Sequence, residues 1–146
     1  MRYFVFSVLV AVVVVLSCWA ASDSAAQEEF RALWVTRFEW PDRNPEVSKG
    51  KILSILDECQ KANFNAVMFQ CRGQADTLYP SPIEPWSPVF GSADPGWDPL
   101  EFAIQEAHKR GLELHAYINP VPAWSADTPP PSTNPPHMYA QHGPGS

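Results

Sequence analysis

From Leu112 onward the chain alternates, with Leu112, Leu114, Ala116 and Ile118 falling on one side and Glu113, His115, Tyr117 and Asn119 on the other. This pattern predicts a strand over Leu112 to Asn119. One face should pack on a hydrophobic layer, and the other carries hydrogen-bonding groups that grow denser toward its C-terminal end. Two more runs rich in aromatic and β-branched residues predict strands at Phe30 to Arg37 (FRALWVTR) and Asn65 to Arg72 (NAVMFQCR). Between these two, Ile52, Ile55, Leu56 and Cys59 recur at helical spacing, with Ser48 as a candidate cap and Ala62 as the end. Before the third strand, Asp98, Pro99 and Glu101 form a helix start, Leu100, Ala103, Ile104 and Ala107 its buried face, and Gly111 its stop. The resulting order, β-α-β-α-β, predicts parallel strands with right-handed crossovers.

The connections are unequal. Those from helix to strand are tight, whereas Phe38 to Val47, Gly73 to Trp97 and everything after Asn119 leave the C-terminal ends of the strands as long segments. Long loops gathered on that side are the usual place for function in α/β folds, and the asymmetry suits a (β/α)₈ barrel. A doubly wound sheet would share it, but no glycine-rich phosphate loop follows any strand. Val121 to Ser146, with Pro129-Pro130-Pro131 and Pro135-Pro136, predicts an extended loop and no helix. A barrel takes about 250 residues. The expected fold class is therefore α/β of the (β/α)₈ TIM-barrel type, with the first three strands and two helices present. Its expected divisions are a signal peptide at 1–26, the N-terminal part of a barrel at 27–120, and a truncated top-side loop at 121–146.

Tyr3 to Leu16 is almost unbroken apolar sequence behind Arg2, followed by small residues ending Ser24-Ala25-Ala26, which predicts an export signal. Cys18 after Val15-Leu16-Ser17 is similar to a lipoprotein cleavage site, and an uncleaved anchor is the minority reading, so membrane attachment through the N-terminus is kept beside export. The expected location is periplasmic, cell-envelope or extracellular. A formal net charge of −6 offers no basic stripe and argues against nucleic acid as a partner. Export makes a Cys59–Cys71 disulfide worth testing, but the helix-to-strand path separates the two by about 15 Å. A bridge needs Cα atoms within about 7 Å. Both are expected to be buried and reduced.

Several segments are similar to a known family. RALWVTRFEW (31–40), NAVMFQCRGQADTLYPSPIEPWSPVFG (65–91) and GWDPLEFAIQEAHKRGLELHAYINP (96–120) resemble the glycosyl-hydrolase-like family 10 domain of bacterial exported proteins. The most specific pieces are Phe69-Gln70-Cys71-Arg72, Tyr79, Ser81, Pro85-Trp86-Ser87, Trp97-Asp98-Pro99-Leu100 and His115-Ala116-Tyr117-Ile118-Asn119-Pro120. The family commonly has an aliphatic residue at Cys71 and tryptophan at Tyr117. The resemblance implies a (β/α)₈ barrel that hydrolyses glycosidic bonds, in cell-envelope polysaccharide such as peptidoglycan. The family's acidic signature, an Asp-Asp-Tyr-type cluster on a later strand, has no counterpart in this chain.

Glycoside cleavage requires two carboxyl groups flanking the bond. Glu113 sits at the bottom of its strand, and Asp98 reads as a helix cap. Glu39, Asp76, Glu84 and Asp94 read as solvated loop charges. No catalytic pair is assigned, and the catalytic residues are expected on later strands, leaving this portion inactive alone. The substrate-binding candidates are Gln70, Arg72, Trp86, His115, Tyr117 and Asn119. Gln70 and Arg72 end the second strand with donors suited to sugar hydroxyls, although Arg72 equally suits pairing with a loop acid. Tyr117 and Asn119 end the third strand, with His115 deeper and closer to a core role. Trp86 offers a flat ring to a sugar face. Trp34 lies on a strand whose two faces are equally apolar, so its side stays open. No metal-ligand spacing links His108, His115, His137 and His142, and no metal or cofactor is expected. The reading is a glycoside-hydrolase-like protein acting on a polysaccharide. A non-catalytic glycan-binding or scaffold protein of the envelope is the alternative.

Overall fold

The computed structural model describes residues 29–144, so the predicted signal segment and its Cys18 lie outside the described residues. Three parallel strands, β1 (Ala32–Val35), β2 (Ala66–Arg72) and β3 (Glu113–Ile118), form one sheet in that spatial order, with β1 and β3 at its edges. Helices α1 (Pro45–Lys61) and α2 (Pro99–Lys109) make the two crossovers, and a short helix α3 (Met138–His142) follows β3. The predicted order of strands and crossover helices is present.

The register sorts the side chains. Leu33, Val67 and Leu114 align across the sheet, as do Val35, Phe69 and Ala116. On this side Val35, Val67, Phe69 and Leu112 join Ile52, Leu56 and Cys59 of α1 and Ala103 and Ala107 of α2 in a single buried cluster. The predicted helical stripes are thus the core-facing ones, except that in α2 Phe102 rather than Ile104 packs on the cluster. The partner expected for the apolar side of β3 covers only part of it. Leu112 is buried and Leu114 packs on the cluster, while Ala116 is exposed and Ile118 is 53% exposed. The opposite side carries Trp34, Met68 and His115 in one row, with Gln70 and Tyr117 paired above them.

Both crossover helices end in the same way. Asn63 N–H donates to Gln60 O and Phe64 N–H to Cys59 O, and the second helix repeats this with Gly111 to His108 O and Leu112 to Ala107 O, all at 3.0 Å. Asn63 and Gly111 both hold positive φ, 60° and 70°. Each then sends an apolar residue, Phe64 or Leu112, back to the core. A Cβ at Gly111 would meet nothing within 4 Å. Gly111→Ala should therefore lose only the left-handed preference, about 1–2 kcal/mol, measurable as a lower urea midpoint. At the bottom of the sheet Asn65 joins two strands, its Oδ1 accepting from Arg31 N–H at 2.8 Å and its Nδ2 donating to Glu29 O at 2.7 Å.

Three expectations need correction. The first helix is capped by Asn44 rather than Ser48: Asn44 Oδ1 accepts from Glu46 N–H at 3.0 Å, and Pro45 opens the helix. Ser48 lies in the first turn, fully buried, exchanging hydrogen bonds with the backbone of Asp42 at 2.8 and 3.0 Å. Asn-Pro is a capping signal in its own right, and the hydroxyl concealed it. The tail is not wholly extended, because past the prolines His137 caps α3. The first strand is shorter than its apolar run, since Thr36 and Glu39 form a turn through Thr36 N–H and the Glu39 carboxylate. Asp98 does cap α2, accepting from Leu100 and Glu101 N–H at 3.0 Å each.

Candidate functional site

The C-terminal end of β2 is where most polar side chains converge. Arg72, 6% exposed, donates through Nε to Glu84 Oε1 and Oε2 at 3.0 and 2.7 Å and through Nη2 to Oε1 at 2.6 Å. Its Nη1 donates to the backbone carbonyl of Asn119. Glu84 beside it holds the guanidinium's pKa above its ordinary value. Pairing with a loop acid, one of the two readings open for Arg72, is therefore present, and Glu84 is not the solvated charge expected of it. Its side chain is 13% exposed. Asn119 is in turn placed by this contact and by its own N–H to Arg72 O at 3.3 Å.

Asp76 is the second loop acid to correct. It is 5% exposed, accepts from Gln74 N–H at 2.6 Å and lies 3.5 Å from Arg37 Nη1. Arg37, immediately beyond β1, donates its backbone N–H to Gln70 Oε1 at 2.9 Å, so Gln70 is buried as a link between the ends of β1 and β2. Gly73 makes this arrangement possible. A Cβ there would fall inside the Arg37 guanidinium and 2.8 Å from its Cδ. Sequence reasoning passed over Arg37, although its place at a strand end was the signal that singled out Arg72.

The segment after β2 is built rather than loose. Thr77 bridges Arg72 on one side and Trp86 on the other, with Thr77 N–H to Pro85 O and Ser87 N–H to Thr77 O, both 2.9 Å. Trp86 stands edge-on to Phe90, with ring centroids 6.0 Å apart, and packs on the main core. Trp40 is fully buried and stacked on Phe69 at 5.0 Å, and Trp97 meets Phe102 at 5.7 Å. These rings fold the loops onto the sheet, the role expected of most of the loop aromatics. The tail docks on the same segment. His137, 4% exposed, accepts at Nδ1 from Tyr139 N–H (3.1 Å) and meets Gln74 O through Nε2 (2.9 Å), with Trp124 edge-on to its ring at 5.4 Å. The first of these contacts leaves the proton on Nε2.

The side of the sheet opposite the core cluster is open at its aromatic row. Trp34, 60% exposed, sits 4.7 Å from the Tyr117 ring, and Phe30, 59% exposed, sits 5.5 Å from His115. Trp34 is thereby placed on the open side that its sequence pattern left undecided. Burial and the Glu39 charge, partly offset by Arg37, raise the Tyr117 pKa, so the phenol stays a hydroxyl. His115 is half-exposed rather than in a core, and its Nε2 lies 2.8 Å from Glu113 Oε2. Grooves of about 400 and 440 Å³ run along the edges, one by Leu33, Val35 and Ile55 and one by Leu112 and Leu114. They mark unpaired sheet edges, and the first reaches Trp34 and Glu39 at the C-terminal end of β1. Cys59 and Cys71 are buried and unbridged, their thiol pKa values raised by that burial.

Comparison with known proteins gives this geometry a relationship. Residues 29–143 match the family model described as glycosyl hydrolase-like 10. Glycosyl hydrolase YngK of Bacillus subtilis (strain 168) is 37% identical over 115 residues, covering 73% of this chain and 22% of that protein. Glycosyl hydrolase DigH of Escherichia coli (strain K12) is 33% identical over 147 residues, covering 84% of this chain and 33% of that protein. The chain thus spans about a fifth to a third of the length of the curated relatives it matches. The match runs through all three strands, both crossover helices and the docked tail, and the chain belongs to the glycosyl hydrolase-like 10 family.

Proposed function

We propose that this chain is the N-terminal portion of an exported, (β/α)₈-type glycoside hydrolase that acts on cell-envelope polysaccharide, and that it forms one wall of the glycan cleft. The carrying observation is the convergence of polar side chains at the C-terminal ends of the strands, where barrels of this type bind ligands. In this reading Tyr117, Asn119 and His115 meet sugar, Gln70 holds two strand ends together, and Arg72 and Trp86 shape the rim. The signal-like N-terminus supports export, and the two glycosyl hydrolases that it resembles support the reaction class.

One observation favours the alternative, a glycan-binding wall without chemistry. Among the described residues, Glu84 and Asp76 are held by arginines and Asp98 caps a helix. Glu39 and Asp94 are exposed, but Glu39 accepts from Thr36 N–H beyond β1 and Asp94 from Gly96 N–H in the loop before α2, and no contact pairs the two as glycoside cleavage requires. Titration of the chain with soluble glycan strands should perturb its tryptophan fluorescence without releasing reducing ends. Hydrolysis by this chain alone would show that its own acids suffice, and a flat titration would remove the glycan reading.

A further inference from the structure

Two arginines end neighbouring strands, and their donors are used differently. Every nitrogen of the Arg72 guanidinium donates to Glu84 or to the Asn119 carbonyl. The Arg37 guanidinium makes an ion pair with Asp76 at 3.5 Å and, among the described residues, donates no side-chain hydrogen bond. Its side chain is only 15% exposed. The described buried polar atoms without a partner are Trp40 Nε1, Trp97 Nε1 and Thr133 Oγ1. No Arg37 nitrogen is among them, so its unengaged donors reach solvent.

Arg37 is also held rigid. Its backbone is tied to Gln70, its guanidinium lies against Gly73, and the Phe38 ring centroid is 5.0 Å from its Cζ. A planar fork fixed in advance binds a pair of oxygen atoms with little further ordering. The geometry points to Arg37 as the residue that grips adjacent oxygen atoms of a neutral sugar at the end of β1, an assignment that rests on the glycan reading above. The choice of a neutral sugar follows from local charge. Asp76 balances Arg37 directly, and Glu39, exposed in the turn two residues further on, adds a second carboxylate at the end of β1. An added anion would meet two carboxylates. Sugar hydroxyls instead accept from the guanidinium and donate to Glu39.

The test uses the whole chain and a tetramer of β-1,4-linked N-acetylglucosamine, with binding followed by tryptophan fluorescence and folding by near-ultraviolet circular dichroism. Arg37→Lys retains the charge and removes the fork. The double variant Arg37→Met/Asp76→Asn removes the fork without leaving a buried carboxylate unpaired. Each should weaken binding at least tenfold while the circular dichroism is preserved. Full binding by Arg37→Lys would overturn the fork, because a point charge would then suffice. Binding unchanged in both variants would overturn the assignment and leave the glycan reading standing. Failure of the unmodified chain to bind would remove both.

Discussion

Glu84→Ala should leave the chain only marginally folded at 25 °C. The substitution removes no core volume, yet it strands the Arg72 guanidinium, 8% exposed in its side chain, without its carboxylate. Removing one partner of a buried ion pair destabilises by about 3–5 kcal/mol, because the remaining charge is desolvated and unpaired. A small domain has about 5–15 kcal/mol in total, and two open sheet edges put this one toward the lower end. Replacing both partners should be milder. Arg72→Met/Glu84→Met would leave no buried charge and lose mainly the bond to the Asn119 carbonyl. The check is a urea titration of the three proteins followed by tryptophan fluorescence. If Glu84→Ala unfolds no earlier than the double variant, the pair is not the anchor of the β2 segment.

This pair also shows where reading the sequence stops. Strands, crossover helices, their stripes and the Asp98 cap were legible because each depends on neighbours within a few positions. The two helix ends were legible for the same reason, and Asn63 differs from Gly111 only in being less obvious. Arg72 meeting Glu84 twelve residues on, and Asn119 forty-seven on, depends instead on how a long connection folds back. No periodicity encodes that. An acid in a proline-framed segment such as Pro82-Ile83-Glu84-Pro85 looks solvated until the arginine it covers is placed. The tail was misread similarly: its prolines exclude helix where they stand, but His137 lies beyond them and caps the next turn. The side of Trp34 needed the register with Met68, which its equally apolar neighbours could not supply. Arg37 stands at a strand end as Arg72 does, but the room that Gly73 leaves for its guanidinium is a long-range fact that no periodicity encodes.

That absence makes the second large effect. Gly73→Ala is ordinarily a mild change where φ permits it, and here it should cost about 3 kcal/mol through a residue far away in sequence. The added methyl would occupy the space of the Arg37 guanidinium, so Arg37 would have to leave and expose its place beside Asp76. Asp76 would then remain as a carboxylate 7% exposed in its side chain, accepting from Gln74 N–H. If that is the mechanism, the penalty belongs to the ion pair and disappears with it. In an Arg37→Met/Asp76→Asn background, Gly73→Ala should shift the urea midpoint far less, since the thioether can move aside and no buried charge is uncovered. An equal penalty in both backgrounds would place the cause in the backbone of residue 73. Loss of the penalty in the doubly substituted background would identify Gly73 as the floor on which the Arg37 fork rests.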